Sequence, residues 1–90
     1  MPTMKIEVRK PSEKEKTEMK KNPIWECEPK TFPWHYDDKE TCLILEGKVK
    51  VKAGKEEASF GPGDLVIFPK GLSCEWTVIE KVRKHYIFGD

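Results

Sequence analysis

The sequence predicts an all-β domain, a sandwich or barrel of short strands, preceded by one short helix. Three observations carry this. From Ile24 onward, short runs rich in Val, Ile, Phe and Trp are separated by Gly and Pro at turn spacing. Lys48-Val49-Lys50-Val51-Lys52 alternates strictly, as a strand with one wet face must. Thr41 to Leu45 is apolar at nearly every position, which suits a strand covered on both faces. Many short strands with regular punctuation form a sandwich or barrel, and closure removes strand edges that would otherwise pair with other molecules.

The elements follow in order. Met4 to Arg9 alternates apolar and polar residues and reads as a strand ended by Pro11. Ser12 followed by Glu15 has capping-box spacing, and Glu13 to Lys21 holds good helix formers, with Met19 as the one inward anchor and Asn22-Pro23 as the stop. Ile24 to Glu28 is a strand closed by Pro29. Phe32 to Tyr36 is aromatic and extended, and Pro33 favours an edge or an irregular path. Thr41 to Leu45 is broken by Gly47, and Lys48 to Lys52 follows. Ala53-Gly54-Lys55 is a turn, Glu57 to Phe60 a strand, and Gly61 to Asp64 a turn in which Asp64 caps backbone N–H groups. Leu65 to Phe68, Cys74 to Ile79 and Val82 to Phe88 complete the set. The expected organisation is one domain over residues 1–90, with the strand and helix in 1–23 and the barrel in 24–90.

Composition removes several function classes. The 17 basic and 16 acidic residues leave a net charge of +1, so there is no electrostatic basis for nucleic acid or an anionic membrane. The lysines at 14, 16, 20 and 21 are interleaved with Glu13, Glu15 and Glu18 and read as a solvated helix face. No apolar run approaches the roughly 20 residues of a membrane helix, and the start lacks a secretory signal pattern. Three cysteines without paired spacing argue against a disulfide framework and for a reducing, intracellular location, with a plastid or other organelle equally compatible.

Two segments carry a family resemblance. Glu40, six residues and Gly47 match the second half of the first cupin motif. Gly63, five residues, then Pro69-Lys70-Gly71 match the first part of the second. The chain resembles the small single-domain cupins (RmlC-like), and within them the ureidoglycine aminohydrolase cupin domain. Trp25, Phe32-Pro33-Trp34, Cys74-Glu75-Trp76 and Lys84-His85-Tyr86 add to that likeness. The resemblance implies a double-stranded β-helix, or jelly-roll, barrel. It also implies a metal held by three His and one Glu. Here only the Glu position, Glu40, keeps its ligand. The His positions of the first motif fall on Trp34 and Tyr36, or on Pro33 and His35 in the other register. Those of the second fall on Cys74, with Val78 in the Asn position. Imidazole donors are what transition metals favour, and indole N–H only donates. No tightly held metal and no other cofactor is therefore expected, a weakly bound divalent transition metal being the alternative.

Side chains two apart on a strand share a face. The resemblance then turns Glu40, Cys42 and Ile44 inward with Cys74, Trp76 and Val78, and puts Trp34 and Tyr36 together. The expected ligand-binding residues are Trp34, Tyr36, Glu40, Cys42, Cys74, Trp76 and His85, with Glu40 and Cys74 as catalytic candidates. A buried Glu40 needs a partner, and Arg83, Lys84 or the Tyr36 hydroxyl could serve. The aromatic residues could equally be core filling alone. The expected function is binding of a small organic ligand. The alternatives are a small enzyme of the ureidoglycine aminohydrolase-like cupin group using Glu40 and Cys74, with or without a weakly bound divalent metal, and a structural module that forms a homodimer.

Overall fold

The computed structural model describes residues 5–89 and shows a β fold with one helix. The strands are β1 (Glu7–Arg9), β2 (Ile24–Cys27), β3 (Lys30–His35), β4 (Glu40–Ala53), β5 (Glu56–Phe60), β6 (Leu65–Phe68) and β7 (Ser73–Phe88), with α1 (Glu13–Met19) between β1 and β2. Met4, the first residue of the expected opening strand, lies outside the described residues.

The helix begins as the sequence dictates. Ser12 Oγ accepts from the Glu15 amide at 3.2 Å, and the Ser12 amide donates to Glu15 Oε1 at 2.8 Å. This satisfies two amides that the first turn leaves without partners. The helix ends at Met19 rather than Lys21, where the bonds tighten to i→i−3 (Lys21 N to Glu18 O, Asn22 N to Met19 O). Met19 is buried with Leu43 and Leu65, so the helix covers the outer face of the sheet.

Two expected breaks are absent. Gly47 does not end a strand, and no gap follows Ile79; β4 and β7 each run through. They pair antiparallel along almost their whole length, with register shifts between Ile44 and Val49. Extra residues there bend the ribbon, as β-bulges do. Gly47 fits the bend at φ +98°, and a Cβ there would lie 2.7 Å from Val82 Cα. Its glycine is required by close backbone approach, not by a chain break.

The bend makes two sheets from one ribbon. On one side, Glu40 to Leu43 of β4 pairs with β6, while the end of β7 pairs with β2 and β1 adds to β6. On the other, Val49 to Ala53 pairs with β5, while the start of β7 pairs with β3. Side chains from both halves share one core: Cys42, Ile44, Val66 and Phe68 meet Val49, Val51, Phe60 and Trp76. The lysines of the alternating run point to solvent, Val49 and Val51 point inward, and Leu43 fills the opposite face. This is the jelly-roll-like arrangement expected. Asp64 caps its turn by accepting from the Gly61 amide at 2.9 Å.

Candidate functional site

A cavity of about 200 Å³ opens at one end of the fold. Its floor is Tyr36, Glu40, Trp76 and Lys84, all nearly inaccessible to solvent. Trp25, Phe32 and Tyr86 form half-buried walls. Trp34 and Phe88, 47% and 46% exposed, stand at the mouth. All three tryptophans of the chain line this space.

Ladder register delivers these groups. Phe32 and Trp34 face Trp76 and Cys74 across β3–β7. Trp25 pairs with Lys84, and Glu40 lies between Phe68 and Phe88. The Pro69-Lys70-Gly71 turn has a positioning role. Gly71, at φ +90°, donates its amide to the Tyr36 carbonyl at 2.8 Å, and the Tyr36 amide donates to the Leu72 carbonyl at 2.9 Å. With its backbone clamped, Tyr36 stacks on Phe68 at 4.8 Å, and its hydroxyl accepts from Trp76 Nε1 at 3.1 Å.

The central interaction is ionic. Lys84 Nζ lies 3.0 Å from Glu40 Oε2, and both residues are 4% exposed. The ammonium also donates to Cys42 Sγ at 3.4 Å and sits over the Trp25 and Trp76 rings at 4.9 and 4.6 Å. Carboxylate and ring faces together replace lost water around the cation. Burial would by itself lower the Lys84 pKa. The Cys42 and Glu40 interactions outweigh it and hold the amine above the ordinary lysine value. Burial pushes the Cys42 thiol up to about 12, so at pH 7 it acts on Lys84 only as a neutral hydrogen-bond acceptor. The Glu40 carboxylate, 3.0 Å away, is then the charged partner that favours the ammonium. Burial, with the charge of Glu40 adding to it, also raises the Tyr36 phenol well above its usual range.

Of the residues expected here, Trp34, Tyr36, Glu40 and Trp76 converge on the cavity. Three others do not line it. Cys42 is fully buried beneath the ion pair. Cys74 is half-buried opposite Trp34 and packs against the core; burial first, then Glu40, raises its thiol to about 11. His85 points to the other face, where its Nδ1 is 2.8 Å from the Asn22 carbonyl oxygen. The reason is parity: β7 is continuous, so Trp76, Val82, Lys84 and Tyr86 turn inward and His85 turns away. His35 is exposed beside Ser73 and Asp37. The lining residues not singled out as ligand-binding from the sequence are Trp25, Phe32, Lys84, Tyr86 and Phe88. The i, i+2 spacing of Phe32 with Trp34, and of Lys84 with Tyr86 and Phe88, was the available signal.

The metal that the cupin resemblance implies does not fit these residues. Glu40 is engaged by an ammonium, Trp34 offers no lone pair, Tyr36 holds its proton, and Cys74 is a neutral thiol outside the lining. Among the described residues, no group of three or more His, Cys, Asp or Glu is placed to hold an ion. Lys84 supplies the positive charge that balances the buried carboxylate. Also among the described residues, no helix is long and apolar enough to cross a membrane.

Residues 14–86 match the family of the EutQ-like cupin domain. Among solved structures, a DUF861 family protein from Thermotoga maritima superposes with a TM-score of 0.89 at 47% identity, covering 93% of this chain and 99% of that one. The EutQ protein of Clostridium difficile gives 0.69 at 23% identity, over 73% of this chain and 52% of that one. A cupin-2 domain containing protein from Shewanella frigidimarina gives 0.61 at 17% identity, over 70% and 63%. The last two show a shared fold. No curated protein matches.

Proposed function

We propose that this chain, which belongs to the EutQ-like cupin domain family, binds a small organic molecule in its aromatic cavity without a tightly held metal. One observation carries the reading: the resident cation beside Glu40 is the Lys84 ammonium, caged by Trp25 and Trp76. A concave, mostly apolar space with a few convergent polar groups is the usual form of a small-molecule site. The size supports a ligand of about one ring, since a cavity of roughly 150 Å³ already admits benzene. We treat the chain as one working unit, supported by β1 pairing with β6 and by Met19 packing on Leu43 and Leu65. Three free thiols fit a reducing compartment.

A thermal-shift screen of single-ring compounds tests the proposal, repeated on Trp34→Ala. Trp34 is at the mouth and half-exposed, so its removal spares the fold. Stabilisation lost in the variant supports the cavity; stabilisation unchanged there refutes it. One equivalent of Fe, Mn or Ni per untagged chain, lost on Glu40→Gln, would refute the metal-free reading.

The second reading is a hydrolase of the ureidoglycine aminohydrolase-like group, favoured by a carboxylate in the cavity lining. It is the weaker one. A nucleophilic lysine needs a depressed pKa and a nucleophilic cysteine needs thiolate. Lys84 is held protonated, and Cys42 and Cys74 are held as thiols.

A further inference from the structure

The chemistry of the cavity floor selects a class of ligand. This step rests on the cavity reading above and goes beyond it. Glu40 and Lys84 together are neutral, and both are almost fully buried. A bound acid or amine would leave one excess charge in a space with little water, which is costly. A neutral ligand leaves the pair intact. Hydrogen-bonding capacity nevertheless remains at both ends. An ammonium has three N–H donors, and two of Lys84's go to Glu40 Oε2 and Cys42 Sγ. A carboxylate offers about four acceptor sites over its two oxygens, more than Lys84 and the Cys42 thiol occupy. Both residues line the cavity, so this spare capacity allows the floor to offer a donor beside an acceptor. Its complement is an acceptor beside a donor within one rigid group.

The walls add shape. Phe32 and Trp76 lie nearly parallel, 20° between planes at 6.0 Å, and Trp25 stands edge-on to Trp76 at 77°. Flat faces favour a flat guest. The volume limits that guest to about one ring.

We infer that the cavity takes planar, uncharged, single-ring cyclic amides of the lactam, pyridone or pyrimidinone type. The ring N–H donates to Glu40, and the adjacent carbonyl oxygen accepts from Lys84.

The unmodified protein tests this directly, because every indole N–H in the chain belongs to a cavity residue. Those three resonances are followed by NMR while 2-pyridone is added. Benzoate, benzylammonium, toluene and N-methyl-2-pyridone are added in parallel. The expected result is that 2-pyridone moves the Trp25 and Trp76 signals and binds at least tenfold more tightly than each of the other four. Benzoate or benzylammonium binding as tightly overturns the neutrality argument. N-methyl-2-pyridone or toluene binding as tightly overturns the paired hydrogen bonds. In either case the cavity reading survives. If none of the five probes moves an indole signal, both the ligand class and the cavity reading fail.

Discussion

Lys84 and Glu40 form an ion pair of 3.0 Å in which each side chain is only 5% exposed, and the Trp25 and Trp76 rings flank the cation. Removing one member leaves the other charged and unpaired, which costs about 3–5 kcal/mol. Lys84→Met is therefore expected to destabilise by that amount. Glu40→Gln with Lys84→Met should cost clearly less than the two single changes added together, since the double variant carries no orphan charge. Urea unfolding of the four proteins measures this. Simple additivity would show that the two groups are not coupled.

The alkaline limb of stability follows from the same groups. The folded-state pKa of Cys42 is raised to about 12 and that of Lys84 is raised as well. A raised value means the folded protein keeps protons that the unfolded chain releases. The stabilisation is full below the unfolded pKa and is lost as pH climbs through the folded one. For Cys42 that window opens near the unfolded thiol value of about 8.5 and closes near 12. For Lys84 it opens at about 10.4. Stability should thus be level between pH 7 and 8 and fall above pH 9. The fall should be shallower in Cys42→Ala, whatever that variant's stability at pH 7. An equally steep fall in the variant would remove Cys42 as its source.

Thiol reactivity should be graded by position. Cys27 and Cys42 are buried, while Cys74 is partly open with its pKa raised to about 11. Iodoacetamide on the native protein should label Cys74 first, slowly at pH 7, with a rate that keeps rising past pH 9. Mass mapping of the modified peptides provides the readout. Rapid labelling of Cys74 at pH 7 would mean an activated thiolate and would revive the hydrolase reading.

Gly47 is the residue least open to substitution on the ribbon. Gly47→Ala places a methyl group against the backbone of Lys81 and Val82 and forces an unfavourable positive φ. Strain and overpacking together predict a loss of about 2–5 kcal/mol. Gly54→Ala is the control: it also has positive φ (+60°) but meets nothing within 4 Å, so only the strain remains. Equal losses in thermal unfolding would deny the close approach at Gly47.

Much of the fold was legible because local rules agreed with one another. The capping box at Ser12 and Glu15 and the Lys48 to Lys52 alternation depend on spacing alone, and spacing is written in the chain. The site was only half legible, since it depends on register. Reading Gly47 as a break and a gap after Ile79 discards the inside–outside parity that runs from Trp76 through Val82 to Phe88. One residue of uncertainty then exchanges Lys84 for His85 as the inward group. Arg83 and Lys84 were equal partners for Glu40 on sequence. Parity separates them: Arg83 pairs with Glu26 at 3.1 Å on the outside, while Lys84 enters the floor. Trp25 counted toward the family likeness but not toward the site, because its strand touches the site only through β7, a long-range pairing that no local pattern announces.

The continuous course of β4 and β7 has a mechanical consequence. Each strand spends one end in one sheet and the other end in the other, so neither sheet can come apart without tearing its counterpart. Slow-exchanging amides should therefore be distributed along both strands and across the kink at Gly47, and should be released together at a common denaturant concentration.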